Sequence, residues 1–434
     1  MAVEKFFQLR QHGTNVRTEM LAGLTTFMTM AYILVVNPAI LGHDGGMDLG
    51  AVFVATALSA ALGSLLMGLL ANYPVALAPG MGLNAYFTYT VVLGMGVPWQ
   101  TALGAVFISG VIFLLLTVTK VRETIINAIP TGMKHAVAGG IGLFIAFVGL
   151  QNAGIIVDNQ GTLVGLNPDL SDPSVLLTFF GIIVTTFFVV RKVRGGIFLA
   201  MAVTAIVGML TGVVPVPKGI VSAPPSIAPT FLQMDILGAL EIGLFTIIFA
   251  FLFVDLFDTM GTLVGVTNQA GLLKDGKLPR AGRALSADAL ATIGGAALGT
   301  STVTSYIESS TGVAAGGRTG LTAVTVAVLF VLSIFFFPLV EAVAGAAAVT
   351  SPALIVVGVM MAASLKEIEW KDLAEAIPAF LTLLLMPLTY SIATGIALGF
   401  IAYPLAKWFA GKGREVHPIM YVLAVFFVLR FIFL

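Results

Sequence analysis

Cysteine is absent from the 434 residues, and charge is scarce: Asp, Glu, Lys and Arg together make up 10%. Without cysteine, disulfides and thiolate metal sites are excluded. A soluble domain carries about 25% charged residues, so a water-facing surface over most of this chain is excluded as well. Formal net charge is zero, which leaves no electrostatic footprint for nucleic acid. The histidines, His12, His43, His135 and His417, have no metal-ligand spacing, and no metal or cofactor is expected. The first 20 residues are mixed and polar, without the apolar core and cleavage site of a signal peptide. The first helix is therefore expected to remain as an anchor. No polar stretch is long enough to house a soluble domain; the longest lie at about 151–173, 212–236 and 268–284.

What fills the chain is apolar. Such residues make up 58% of it, and mean hydropathy is +1.05. Runs of 18 or more nearly uncharged residues recur along the whole length, the pattern of membrane-spanning helices. The fold class is an all-α polytopic membrane protein. Spans are expected at about 18–41, 50–71, 74–93, 99–119, 122–151, 174–191, 196–214, 238–267, 283–298, 300–316, 319–337, 340–365, 373–389 and 390–409. A further apolar stretch, 416–434, either spans or lies along the interface.

Charge tests this division. With the N-terminus inside, Lys5, Arg10 and Arg17 precede the first span, and Lys120, Arg122 and Lys134 follow the fourth. Arg191, Lys192 and Arg194 follow the sixth, and Lys274, Lys277, Arg280 and Arg283 the eighth. Arg318, Lys366, Lys371, Lys407, Lys412 and Arg414 continue the alternation. Only Lys218 falls in a loop on the other side, and Arg430 lies in the last stretch. The positive-inside rule is met with the N-terminus cytoplasmic, which implies a multi-pass protein of the cell membrane.

The two halves echo each other. Gly23-Leu24-Thr25-Thr26 opens the first span, and Gly243-Leu244-Phe245-Thr246 comes early in the eighth. The third span begins PVALAPGMGLNAYF and the tenth GTSTVTSYIESSTGVAAGG, each a non-helical start before a half-length helix. Seven spans per half is an odd number, so the halves insert with opposite topology. Inverted repeats with paired broken helices mark secondary transporters, with the substrate at the break. The alternative is that these Gly- and Pro-rich stretches are kinks or small-residue packing faces.

Charged residues inside spans are costly and usually functional. Asp255 and Asp258 lie in the eighth span, Asp288 in the ninth and Glu308 in the tenth. A carboxyl in low dielectric holds its proton more readily than in water, which suits a group that loads and releases one. Asp255 and Asp258 share a helix face that Thr262 continues; Asp255 reads first as a packing hydrogen bond. Asp288 either couples protons or pins the break. Asn84, in the third span, offers both donor and acceptor. Phe27, Tyr86 and Phe87 stack on a planar ligand or simply pack. Thr26, Gly80, Thr304 and Ser305, in the first span and at the two breaks, complete the candidate contacts. Glu241, Glu341 and Lys134 lie near span ends, where snorkelling makes them cheap.

Four segments, GLTTFMTMAYILVVNPAIL, ANYPVALAPGMGLNAYF, DLFDTMGTLVGV and GTSTVTSYIESSTGVAAGGRTGLTA, occur here in order. In them the chain resembles the adenine/guanine/hypoxanthine permease branch of the nucleobase–ascorbate transporter family, from about residue 4 to about 410. The resemblance implies 14 spans as a seven-plus-seven inverted repeat, with short strands before the third and tenth half-helices. It implies a core domain (18–119 and 237–338) and a gate domain (120–236 and 339–434). It implies proton-coupled purine uptake, with Asp258 and Glu308 holding the base, and Asp288 and Asn84 at family positions. Uracil and xanthine branches carry glutamate in the eighth span, and uracil permeases a histidine one turn later. Asp258 and Thr262 stand there instead, and the shorter acid leaves room for a bicyclic purine.

The partners expected are thus a purine nucleobase, protons and membrane lipid, with a homodimer left open. Xanthine or uracil on the same fold is the alternative. An inorganic anion would need a cation or helix N-terminus at the site. An intramembrane aspartyl protease would need a paired-acid motif, and no GxGD occurs. No repeated filter loop points to a channel.

Overall fold

The computed structural model describes residues 2–119, 128–241, 245–273 and 278–433. Lys120, Arg122, Lys274 and Lys277 of the charge pattern lie outside the described residues, as do Gly243, Leu244 and the start of the fifth expected span.

In the first half, α1 (Val16–Met30) runs through α2 (Ile33–Asn37) into π-helical turns ending at Asp44. Helix α3 (Leu49–Leu66) continues likewise to Ala71. Strand β1 (Leu77–Pro79) precedes the short α4 (Met81–Ala85), extended by π-helical turns to Gly94, and α5 (Trp99–Val118) follows. Next come α6 (Thr131–Asn152), strands β2 (Ile156–Asn159) and β3 (Leu163–Leu166), α7 (Pro173–Val190) and α8 (Gly196–Leu210). The second half repeats the order. It has α9 (Phe245–Gln269), α10 (Ala281–Leu298), β4 (Val303–Ser305) with α11 (Ser309–Ala314), and α12 (Gly320–Ser333), prolonged by α13 (Phe337–Ala344). Then follow α14 (Ala347–Ala362), α15 (Leu373–Leu388) and α16 (Ile392–Phe409).

Nine of these helical stretches, among the described residues, are long and apolar enough to cross a bilayer. With the half-helices α4 and α11 and the shorter or more polar α8, α10 and α15, they make the 14 spans of a seven-plus-seven inverted repeat. A last helix, α17 (Pro418–Phe433), covers the ambiguous stretch; its Phe427 ring packs near Phe249 and Phe400. One expected boundary is corrected. Residues 340–344 end the eleventh span rather than open the twelfth, because the chain breaks at Gly345-Ala346, inside an unbroken apolar run. The polar piece 151–173 carries the β2–β3 hairpin, turned by Asn159, whose Oδ1 accepts from Gly161 N and Thr162 N.

Local sequence explains where helices start. Asn15, Asp48, Asp172, Asp372 and Ser391 each cap a helix by accepting a backbone N–H with the side chain. Packing then sorts the helices into two sets. Helix α3 lies against α10 and α12, α5 against α9 and α10, and α1 against α11 and α12. Separately, α6 packs on α14 and α15, α7 on α8 and α14, and α15 on α16. Small residues allow the closest crossings. At the α6–α14 crossing, a Cβ on Gly142 would stand 2.6 Å from Gly358 O.

Candidate substrate site

The two broken spans meet. Strands β1 and β4 pair antiparallel, with Leu77 opposite Ser305, Ala78 opposite Thr304 and Pro79 opposite Val303. Irregular backbone at membrane depth must find its hydrogen bonds inside the protein, and the two breaks supply several of them to each other. Gly80 N donates to Thr302 O at 3.0 Å and Tyr306 N to Ala76 O at 2.9 Å. Ser64 Oγ on α3 serves both sides of Leu77, donating to its carbonyl (3.1 Å) and accepting from its N–H (3.0 Å). Ala76 N donates to Ser309 Oγ (3.0 Å), and the Tyr306 hydroxyl to Pro79 O (2.5 Å). Gly80 is required by closeness: a Cβ there would lie 2.6 Å from Thr304 Cγ2.

The carboxyls gather around this crossing. Glu308 caps the start of α11 without bonding its backbone, and its Oε1 accepts from the Tyr32 hydroxyl at 2.6 Å. Asp258, on α9, adjoins the Thr304 hydroxyl and lies within coulombic reach of Glu308; Tyr32 and Tyr306 adjoin both acids. Behind them, Thr259 donates to Asp288 Oδ1 at 2.8 Å, and its oxygen stands 2.8 Å from the Thr304 hydroxyl. Asp258, Thr304, Thr259 and Asp288 thus form a continuous polar line between α9, β4 and α10. Asp255 is buried one turn away, 3.4 Å from Thr259 Oγ1.

Other sequence-selected residues spread around this centre. Asn84 is fully buried on α4; its Oδ1 accepts from Ser301 Oγ, while its Nδ2 has no partner among the described residues. Ser305 Oγ and Thr26 Oγ1 are likewise buried without partners. Thr26 packs against Gly312 of α11, and Thr262 is buried on α9. Tyr86 and Phe87 are buried with Phe251, at ring-centroid distances of 5.0 and 6.4 Å. Phe27 lies edge-on to Phe330 (5.1 Å) and lines an apolar cavity.

Several residues carry structure that the sequence reading missed. Tyr32 and Tyr306 are single aromatics among many apolar neighbours. Glu19, in the first turn of α1, is completely buried and accepts from Arg318 N (2.9 Å), Thr319 N (3.2 Å) and the Thr322 hydroxyl (2.6 Å). The Arg318 guanidinium donates to Val313 O and Gly317 O, both at 2.7 Å, closing the end of α11. A buried acid in a first turn, with an Arg-Thr pair opening the partner span, was the available signal. A second polar group lies away from the crossing, at the C-terminal ends of the first span and of α6. Tyr89 donates to Asp44 Oδ2 at 2.6 Å, and Asn152 Nδ2 donates to the Tyr89 hydroxyl at 2.7 Å. That contact ties the first helix set to the second.

Residues 17–398 match the profile of Xan_ur_permease, described as the Permease family. The chain belongs to this permease family. It is 54% identical to the guanine/hypoxanthine permease PbuG of Bacillus subtilis, over 100% of both chains. It is 48% identical to the adenine permease AdeP of Escherichia coli, over 100% of this chain and 96% of that one. Its fold is similar to the transmembrane domain of a cyanobacterial bicarbonate transporter, BicA, with TM-score 0.66 and 16% identity. That likeness covers 88% of this chain and 97% of the other. The permease is a multi-pass membrane transporter, not an enzyme. It shares its architecture with an anion carrier, but it sets two carboxyls, Asp258 and Glu308, at the crossing of its broken spans.

Proposed function

We propose that this permease carries purine nucleobases inward with protons, by alternating access at the β1–β4 crossing. One observation carries the reading: two carboxyls from different spans meet beside that crossing, with Asn84 Nδ2, unpartnered among the described residues, close in sequence to β1. Paired acids suit a neutral, flat ligand edged with N–H donors and repel an anion. The names of the relatives, one a guanine/hypoxanthine permease and one an adenine permease, support the purine class.

In this reading Glu308, oriented by Tyr32, accepts N–H groups from the base. Asp258 takes the proton, since two carboxylates side by side in low dielectric do not both ionise easily. The line from Asp258 through Thr304 and Thr259 to Asp288 is its route for sharing that proton. The helix set containing α1, α3, α5 and α9 to α12 acts as the core that holds the base. The set containing α6 to α8 and α14 to α16 acts as the gate. The N-terminus faces the cytoplasm of the cell membrane, as the basic residues favour. Competition against labelled hypoxanthine in cells lacking their own permeases tests the substrate class. Adenine and guanine should compete and uracil should not; effective competition by uracil would overturn the purine assignment.

A further inference from the structure

A cavity of about 750 Å³ opens in the seam between the two helix sets. Its floor includes Leu34, Val35 and Phe53, all buried, on α2 and α3. Its outer wall includes Ile206 on α8 and Leu332 on α12, which are 56% and 53% exposed. Ser333 is the single polar side chain in the lining, and its hydroxyl already donates to Phe330 O at 2.6 Å. A purine would leave its whole polar edge unpaired here, and water needs at least two polar partners to stay. Hydrocarbon fits.

Two further features identify which hydrocarbon. Along α8 the lining runs from Phe198 to Met209, about 16 Å at ~1.5 Å per residue. That covers most of α8 and is the reach of one acyl chain, about half of the roughly 30 Å hydrocarbon core. Beyond Met209 the lining ends at Pro217. The next residue, Lys218, is exposed and forms no ion pair among the described residues. The loop that carries it is fixed to the eleventh span, at the junction of α12 and α13, by Ser222 N donating to Phe335 O at 2.9 Å.

We propose that this cavity is a phospholipid site. One acyl chain enters the seam from the leaflet on the Lys218 side, and the phosphate pairs with Lys218. The test uses the full-length protein in phosphatidylethanolamine vesicles doped with a phosphatidylglycerol that carries a diazirine in its acyl chain. After photolysis, labelled peptides are mapped by mass spectrometry. Label is expected on the buried floor at Leu34, Val35 or Phe53, which lipid at the outer surface does not touch. Ala205→Phe, which narrows the cavity, should lower floor labelling several-fold while leaving the exposed Val425 and Leu429 labelled as before. Lys218→Glu, a surface change that folding tolerates, should also lower floor labelling several-fold. A floor left unlabelled while exposed faces react would overturn the site. Floor labelling that ignores Ala205→Phe would do the same, and labelling that ignores Lys218→Glu would overturn the headgroup contact.

Discussion

Tyr32 donates its hydroxyl proton to Glu308 Oε1 at 2.6 Å, joining the middle of the first span to the residue that opens the half-helix of the tenth. A phenol held on one carboxylate oxygen fixes the side chain and leaves the other oxygen for a ligand. Tyr32→Phe should therefore weaken purine binding by about 10-fold, the scale of ~1.4 kcal/mol for one hydrogen bond to a charged group. The maximal rate should change less. Calorimetry on purified protein, beside uptake in vesicles, reads this split. Equal losses in rate with binding intact would place Tyr32 outside ligand orientation.

Glu308→Gln removes the charged acceptor itself. Binding should fall by at least about 10-fold. A variant that binds hypoxanthine like the parent would move the direct contact to another residue.

Asp258→Asn mimics the protonated acid. It should keep measurable binding and lose accumulation against a gradient, leaving exchange and downhill flux. Asp255→Asn should do neither if that residue only packs. Normal concentrative uptake by Asp258→Asn would remove it from coupling.

Ser64 supports β1 from the side, and its loss leaves the Leu77 N–H and C=O without those bonds. Ser64→Ala should lower stability by roughly 1–3 kcal/mol, the cost of a buried unpaired polar group. It should slow transport without changing which bases compete. Thermal unfolding in detergent measures the first, and an unchanged midpoint would contradict the supporting role.

Orientation is open to labelling. A cysteine at Asn159, in the hairpin turn, should react with an impermeant thiol reagent outside intact cells. One at Lys192 should react only from the inside. The reverse pattern would invert the topology.

The spans were legible because lipid imposes a simple rule, long uncharged runs, and because basic residues alternate between their ends. The eleventh-to-twelfth boundary was not, since Gly345-Ala346 breaks the helix without breaking the apolar run. The acids Asp258, Asp288 and Glu308 were legible because charge inside a span stands out. Their supporting partners were not. Tyr32, Tyr306 and Thr259 are ordinary residues in apolar surroundings, given meaning by contacts with distant parts of the chain. The β1–β4 pairing is the extreme case: three residues on each strand, joined across the two repeats, with no periodicity for a sequence to display. Glu19 sat in a first turn, where acids are common for reasons of helix polarity alone.

The central claim is that protons drive purine uptake through this pair of acids. The most direct measurement is accumulation of labelled hypoxanthine in sodium-free vesicles containing the purified protein, with an inward proton gradient imposed. The account predicts concentration above equilibrium that collapses with a protonophore and vanishes in Asp258→Asn. Accumulation that survives the protonophore, or that appears only when sodium is added, would contradict it.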